Sequence, residues 1–214
     1  MAAKNKERIL RTIIACAKLY EQNLCGKDFL YVIRGLSNHP FFIEVTCLPT
    51  NFMHLMGINT KMKSAAFYQA CLDGKLSLND FSLRTDGSTI QKSNVSIELM
   101  SIHKRATVYG EYIGLFTDVL LGNVRGCMGH KKPKNSRFYM PNTLLEADAR
   151  NNAIPIFPVL AVYQKLSSDK LYSTICYKSK ILADILPNEL RWPDEIQCLI
   201  DHNSLAIDLS SVTK

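Results

Sequence analysis

Residues 41–68, FFIEVTCLPTNFMHLMGINTKMKSAAFY, carry a strand pattern, a short apolar segment and a helix pattern in succession. Apolar and polar side chains alternate over residues 41–47, which are rich in β-branched and aromatic types and therefore predict a strand. Residues 49–51 end that strand, because proline cannot donate to a ladder and asparagine favours turns. From Lys61 the apolar residues recur at helical spacing up to Gly74, a residue type that typically follows a helix.

The apolar segment, residues 51–58, holds one histidine, His54, among large apolar side chains. We expect a loop here, so that a strand, a loop with one titratable group and a helix form a unit able to build a site. The structural alternative is an apolar connection between two core elements, with His54 bonded to a carbonyl. The residues alone favour that alternative, because perturbed or buried histidines are often structural.

Helix patterns occur in three further places. Residues 5–24 repeat apolar side chains at helical spacing, and residues 88–106 do the same. A short helix is expected to begin near Thr143, because Thr143 and Glu146 have the spacing of a capping box.

Strand patterns fill most of the remaining sequence. Residues 28–34 suit a hairpin with residues 41–47, and residues 154–166 and 171–178 form the clearest strand pair. Residues 108–121 fit a strand or a helix, because glycines interrupt a run of β-branched and aromatic side chains. Together the patterns predict an α+β fold in which N-terminal helices pack against a small, twisted antiparallel sheet.

A chain of 214 residues suits one domain. Within it we expect a mostly helical front half with a strand pair (1–108), a strand-rich core (109–180) and a C-terminal tail that packs on the core (181–214). Trp192 is expected to anchor this tail.

The composition excludes several classes of protein. The chain has no run of apolar residues long enough for a membrane span, and its charged N-terminus lacks the features of a signal peptide, so a cytoplasmic protein is expected. Its seven cysteines are scattered singly, which supports neither a zinc site nor a disulfide framework. The GxSxG and HExxH motifs are absent, and no metal or other cofactor is expected.

The formal charge of +7 is uneven along the chain: residues 1–40 hold seven Lys and Arg against three acidic residues, and residues 101–150 hold eight against four. No acidic residue occurs between Asp118 and Glu146, whereas several basic residues do: Arg125, Lys131, Lys132, Lys134 and Arg137. Such a patch attracts the phosphates of nucleic acid. The alternative, a solvated basic loop with no ligand, is equally compatible with charge alone.

The side chains available beside this patch suit cleavage of RNA without a metal. A base takes the proton of the ribose 2′-hydroxyl, cations stabilise the charge on the phosphorane, and an acid protonates the leaving 5′-oxygen. Histidine is apt as base or acid because it titrates near neutrality, and arginine matches phosphate oxygens bidentately.

Three blocks of the chain resemble a phage-associated family of the barnase–EndoU–colicin–RelE-like nucleases, its fourth group. The first block runs from FIEV at 42–45 through NFMHLMGI at 51–58 to AFY at 66–68, the second is YMPNTLL at 139–145 with Asp148 and Arg150 behind it, and the third is LYSTI at 171–175. The resemblance covers roughly residues 26–178. It departs from the family pattern at Met53 and Met56, where leucine and threonine are expected.

The resemblance implies a barnase- or RelE-like α+β nuclease that cleaves RNA without metal, of the kind used as toxins, colicins and phage effectors. It assigns a role to His54 alone, as the histidine of the NFMHLMGI block. The residues themselves suggest further candidates for catalysis: Arg125, Arg150, Lys165 and Tyr172. For substrate binding they suggest Lys131, Lys132, Lys134, Arg137, Asn142, Thr143 and Lys178.

Several of these candidates have a structural alternative. Lys165 and Lys178 are equally suited to ending strands at the surface. Asn142 and Thr143 suit a helix cap better than a catalytic role. Arg150 suits an ordinary surface ion pair with Asp148 or Glu146.

The sequence therefore predicts a metal-independent endoribonuclease of toxin or phage-effector type, with RNA as its substrate. A soluble toxin implies a neutralising partner, and an acidic antitoxin or immunity protein suits the charge of +7. The alternative is a module that keeps the nuclease fold without its chemistry and binds a host protein complex or nucleic acid. A structural virion component is the weakest prediction, since the chain lacks coiled-coil heptads and repeated strands.

Overall fold

The structure, a computed structural model, describes residues 2–114, 116–180, 182 and 192–208. The helices within these residues are α1 (Ala2–Asn23), α2 (Phe52–Met56), α3 (Ser64–Leu72), α4 (Ser88–Leu99), α5 (Ala149–Asn152) and α6 (Asp194–Gln197). The strands are β1 (Lys27–Arg34), β2 (Pro40–Thr46), β3 (Ile58–Asn59), β4 (Ser82–Leu83), β5 (Val108–Gly114), β6 (Thr117–Gly122), β7 (Cys127–Lys131), β8 (Phe138–Leu145), β9 (Ile156–Leu166), β10 (Thr174–Lys178) and β11 (Ala206–Ile207). Short 3-10 helices occupy Leu36–Asn38, Pro49–Asn51 and Ile102–Lys104.

Nine of these described strands form one mixed sheet in the order β1-β2-β8-β7-β6-β5-β9-β10-β11, and β3 pairs with β4 separately. Strand β9 also pairs with β1, so the pairings from β1 through β8 and β5 to β9 form a closed ring. The β2–β8 and β10–β11 pairs are parallel. The prediction of an α+β fold is confirmed, but the prediction of a small, wholly antiparallel sheet is wrong.

The sheet is larger than expected because residues 108–131 form three strands. Glycines in this part of the chain permit close strand approach rather than breaking the ladder. In β7, Gly129 pairs with Thr143 of β8, and a Cβ atom at Gly129 would lie 2.6 Å from the Thr143 Cγ2 atom and 2.8 Å from that of Thr117. A larger residue at this position would push the strands apart.

One face of the sheet packs against the helices. The apolar stripe predicted for the first helix is buried in α1, where Ile9, Ile13 and Tyr20 join a core that includes Phe29 and Tyr31 of β1. Burying each such large side chain contributes about 1.5–3 kcal/mol relative to leaving it in water. This core holds α1 against α3 and α4, and α4 against β8.

Residues 192–200 pack on the other face. Leu30 and Val32 of β1 alternate with the residues of the helical face and pack with Tyr163, Trp192 and Ile196. The Trp192 Nε1–H donates to the Tyr163 hydroxyl over 2.8 Å. This bond and the surrounding apolar contacts attach Trp192 to β9.

Two local predictions are wrong and two are confirmed. Residues 141–145, expected to start a helix at Thr143, continue strand β8, because Thr143 pairs with β7 and is buried there. The expected loop at residues 51–58 contains helix α2, whose apolar residues face the core. The β1–β2 hairpin and the antiparallel pairing of β9 with β10 form as predicted.

Candidate active site

A cleft of about 880 Å³ opens between α2, the start of α4 and strand β8. Its lining includes the polar side chains of His54, Arg84, Lys92, Tyr112, Asn142 and Thr143. The cleft thus brings together three of the residues predicted from sequence, His54, Asn142 and Thr143. It adds cationic residues that the sequence did not single out.

Helix α2 presents His54 to this cleft. Phe52, Leu55 and Met56 share the buried face of α2, as residues three and four apart do on a helix, which leaves His54 on the exposed face. The Phe52 ring packs against the Tyr20 ring at a centroid distance of 5.5 Å. This packing fixes the short helix, so that the position of His54 does not depend on helix propensity alone.

Gly57 ends α2 in the left-handed conformation, with φ of 61°. A Cβ atom at this position would lie 2.5 Å from the Lys92 Cδ atom, so the lysine stem lies directly over the glycine. The Lys92 Nζ atom donates to the His54 carbonyl oxygen over 3.2 Å. The glycine of the NFMHLMGI block therefore positions a lysine that follows it by 35 residues in sequence.

Two hydrogen bonds of Thr89 fix α4 against α2. The buried Thr89 hydroxyl donates to the Gly57 carbonyl over 2.5 Å and accepts from the Arg84 backbone N–H over 3.0 Å. The first turn of α4 thus joins the end of α2 to the segment that carries Arg84. These bonds place both cations, Arg84 and Lys92, on the cleft.

The environment of Lys92 weakens its hold on a proton. Burial lowers the pKa of the Lys92 ammonium to about 8, the nearby charge of Arg84 acts in the same direction, and Asp86 opposes both. A group with a pKa near the working pH is suited to proton transfer, because it exchanges a proton readily in either direction. Lysines with such environments are frequent at functional sites.

A β-bulge forms the floor of the cleft. Gly129 pairs with Thr143 and the next residue, His130, pairs with Pro141, so Asn142 is the extra residue of the bulge. The Asn142 Oδ1 atom accepts from the Thr117 hydroxyl over 2.9 Å, and its Nδ2 atom donates to the Phe116 carbonyl over 3.0 Å. Asn142 therefore ties the turn between β5 and β6 to the cleft floor.

The other nine predicted residues lie outside this lining, among them Arg125, Arg150, Lys178 and Lys134. Arg125 is exposed and forms an ion pair with Glu98 at 3.7 Å. Arg150 pairs with Asp148 at 2.6 Å, the surface pairing described above as its structural alternative. Lys178 is exposed beside a separate cavity of about 190 Å³ under the C-terminal tail, and Lys134 is exposed in the basic loop.

Lys165 and Tyr172 belong to a buried polar cluster on the face against which residues 192–200 pack. The Lys165 Nζ atom lies 3.7 Å from an Asp28 carboxylate oxygen and donates to the Asp169 carbonyl over 2.7 Å. The Tyr172 hydroxyl donates to Glu44 over 2.8 Å, and burial followed by the Glu44 charge raises the pKa of Tyr172 well above its ordinary value. The Lys165 Nζ atom also lies 5.2 Å from the centre of the Tyr172 ring. Both side chains are therefore buried among protein partners and do not face a solvent-accessible site.

The remaining basic residues pair with aromatic rings. The Lys131 Nζ atom lies 5.7 Å from the centre of the Phe116 ring, that of Lys132 lies 5.4 Å from Tyr139, and the Arg137 guanidinium lies 4.7 Å from Phe138. Arg137 also contacts Glu44 at 3.3 Å. Lys131 lines a groove of about 470 Å³ that shares Tyr112 and Phe116 with the cleft.

Sequence patterns could have indicated Lys92. Val95, Leu99 and Ile102 form the apolar stripe of the predicted helix, and Lys92 continues that stripe by one turn towards the N-terminus. A polar residue in line with a buried stripe is either half-buried or directed at a neighbouring element. Arg84 and Tyr112 lie outside regular helix patterns and gave no such signal.

Comparison with protein families bears on what this cleft does. Residues 12–180 match the model of the family described as phage-Barnase-EndoU-ColicinE5/D-RelE like nuclease 4. The chain belongs to this family. The matched range runs from α1 to β10 and includes every cleft residue named above. Comparison with curated proteins gave no match, and neither did comparison with solved structures.

Two further observations concern metals and membranes. Among the residues that the structure describes, no group of three or more His, Cys, Asp or Glu side chains is placed to hold a metal ion. Within the same ranges, no helix combines the length and the apolar character needed to cross a membrane.

Proposed function

We propose that this member of the nuclease family is an endoribonuclease of toxin or phage-effector type that needs no metal, and that the cleft between α2, α4 and β8 is its active site. The observation that carries the proposal is the pairing of an exposed His54 with a half-buried Lys92, whose pKa burial lowers to about 8. The Lys92–His54 carbonyl bond joins the two elements that carry these groups. Together they supply one proton acceptor and one proton donor.

The proposed reaction is in-line attack of the ribose 2′-oxygen on the adjacent phosphorus. The His54 imidazole takes the 2′-hydroxyl proton as the new P–O bond forms. The Lys92 ammonium donates its proton to the 5′-oxygen as the old P–O bond breaks. The products are a 2′,3′-cyclic phosphate and a free 5′-hydroxyl.

Charge stabilisation in this scheme comes from the same cleft. The Arg84 guanidinium lines it and is suited to contact the phosphate oxygens bidentately. Positive charge there stabilises the extra negative charge of the phosphorane, which is often the largest contribution to catalysis. The exposed Lys131 and Lys132 extend the positive surface along the path of the RNA strand.

The proposed catalytic set therefore differs from the one suggested by sequence. It keeps His54 and adds Lys92 and Arg84. Arg125, Arg150, Lys165 and Tyr172 are left out, because each has a protein partner and none lines the cleft. Asn142 and Thr143 serve to shape the floor.

The test is incubation of the purified protein with cellular RNA in excess EDTA, followed by analysis of the RNA ends. We expect the wild-type protein to produce 2′,3′-cyclic phosphate ends, and His54→Ala to lower the rate about 100-fold or more, as loss of a general base or acid does. Circular dichroism of both proteins controls for folding, since His54 is exposed and its truncation should leave the fold intact.

Each other outcome has a definite meaning. Equal cleavage by both proteins would remove His54 from the site. Cleavage that requires an added divalent metal would contradict metal independence. Absence of cleavage with retained RNA binding would favour the inactive binding module instead.

We also propose that a neutralising partner, if one accompanies this chain, is acidic. The formal charge of +7 and the exposed basic loop give an attractive surface for such a protein. Its association rate would fall steeply as salt is added.

A further inference from the structure

Phe116 is the most exposed aromatic side chain beside the cleft. It is 86% exposed and lies in the turn between β5 and β6. Its φ of 54° is in the left-handed region, which bulky side chains rarely adopt and which glycine or asparagine would occupy at lower cost. A large ring held outward at a strained position suggests that the ring itself is used.

Two hydrogen bonds hold this turn in place. Asn142 accepts from the Thr117 hydroxyl and donates to the Phe116 carbonyl, so Phe116 and the first residue of β6 are tied to the β8 bulge. Thr117 is buried beneath them. The ring is therefore presented from a fixed backbone at the margin of the cleft.

Phe116 lines both the cleft and the neighbouring groove of about 470 Å³. Tyr112 lines both as well, and Tyr109 and Tyr139 line the groove only. Aromatic side chains therefore continue from the proposed site of phosphate chemistry into the groove. Lys92 and Phe116 line the same cleft, so a strand of RNA bound in it can contact both residues.

The charged residues of the groove indicate whether it suits the base or the phosphate of a nucleotide. Glu111 and Asp118 line it, and carboxylates repel phosphate but accept hydrogen bonds from base edges. Asp118 also accepts from the Lys132 backbone N–H over 2.7 Å, which fixes its carboxylate. The Lys131 ammonium at the Phe116 ring supplies the positive charge for a phosphate at the rim.

We propose that Phe116 is a stacking platform for a base of single-stranded RNA next to the scissile phosphate, with Lys131 holding the phosphate of that nucleotide; this inference rests on the proposed function of the cleft. Unpaired bases bind proteins by stacking on aromatic rings, and a nearby cation adds to the affinity. Asn142 is a positioning residue for this platform.

The test measures binding apart from cleavage. Short single-stranded oligonucleotides of mixed sequence, with a 2′-O-methyl group on every ribose, cannot be cut by 2′-oxygen attack and report Kd by fluorescence polarisation. Phe116→Leu keeps an apolar side chain but removes the ring, and Phe116→Trp enlarges the ring. Leu36→Ala is the matched control, because Leu36 is 79% exposed and lies in the turn between β1 and β2.

We expect Phe116→Leu to raise Kd about 5- to 150-fold, the range for loss of one base–aromatic stack. Phe116→Trp should retain or lower Kd, and Leu36→Ala should match the wild-type protein. Photocrosslinking of 5-iodouracil oligonucleotides should join the base to Phe116. A Phe116→Leu protein that binds like wild type, or a wild-type protein that binds no oligonucleotide, overturns the proposal.

The same proteins separate this inference from the proposed function. If binding depends on Phe116 but no RNA is cut, the platform stands and the nuclease proposal falls. If RNA is cut while Phe116→Leu binds normally, the nuclease proposal stands and the platform falls.

Discussion

At Lys92, burial and a neighbouring arginine both disfavour the charged form, whereas most lysines of the chain lie exposed on its surface. The unfavourable burial of this charge is offset in part, because the Lys92 stem packs over Gly57 and its ammonium donates to the His54 carbonyl. A proton donor that titrates near the working pH results. Substitutions at Lys92 and at Gly57 test this arrangement.

The first concerns pH. Since Lys92 must carry a proton to protonate the leaving oxygen, we expect the single-turnover cleavage rate to fall as pH rises through about 8. Lys92→Arg should remove this decline, because arginine stays protonated, and should also lower the maximal rate, because arginine is a poor proton donor. A wild-type rate that stays level up to the ordinary lysine pKa of about 10.4 would contradict the assignment.

The second concerns Gly57. Gly57→Ala should lower the free energy of unfolding by about 1–2 kcal/mol, because φ is positive there, and should also displace Lys92 and reduce cleavage at least tenfold. Gly26→Ala is the matched control: Gly26 has φ of 71° but nothing within 4 Å of an added Cβ. Urea unfolding should show comparable losses for both variants, with cleavage impaired in Gly57→Ala only. Equal cleavage rates for Gly57→Ala and Gly26→Ala would show that Gly57 does not position a catalytic group.

At the scale of elements, the site depends on how α2, α4 and the β8 bulge meet. The sequence predicted β1, β2, α1 and the β9–β10 pair, because their apolar residues follow one periodicity throughout. The prediction of a helix start at Thr143 was wrong, because the spacing of a capping box occurs there by chance inside a strand. Only the pairing with β7 distinguishes a strand from a helix start at this position. His54 was identifiable from its block, whereas Lys92 and Arg84 reach the cleft through packing that no local pattern encodes.

Asn142 tests the role of the bulge. Asn142→Ala removes both bonds to the β5–β6 turn, which should cost about 1–3 kcal/mol of stability, because Thr117 is buried. We expect a higher KM for RNA with a smaller change in kcat, since the turn carries the stacking ring rather than the reacting groups. Asn79→Ala, at an exposed loop position, is the control. A loss confined to kcat would instead place Asn142 in the chemistry.

At the scale of the whole molecule, one face of the sheet supports the proposed active site and the other contributes to stability. The helical face supports the cleft. Residues 192–200 pack on the opposite face, which also holds a buried polar cluster of Asp28, Glu44, Lys165 and Tyr172. Buried polar groups with all partners present rigidify a fold, and removal of one partner is costly. The cluster is therefore expected to serve stability and not catalysis.

Tyr172→Phe tests whether the buried polar cluster serves stability or catalysis. The variant leaves the buried Glu44 carboxylate without its hydroxyl donor, so the free energy of unfolding should fall by about 1–3 kcal/mol. The cleavage rate under native conditions should remain within about twofold of wild type, because Tyr172 is fully buried away from the cleft lining. Urea unfolding and single-turnover cleavage measure the two effects. A stable variant with abolished cleavage would return Tyr172 to the catalytic set.

The most direct test of the whole account is the single-turnover rate of RNA cleavage in EDTA by Lys92→Met, which keeps an unbranched side chain one atom shorter than lysine and removes its charge. The matched control is Lys18→Met, at an exposed position of α1. We expect Lys92→Met to be folded and at least 100-fold slower than wild type, with Lys18→Met unchanged. A folded Lys92→Met protein that cleaves RNA at the wild-type rate would contradict Lys92 as the proton donor and, with it, the proposed catalytic set.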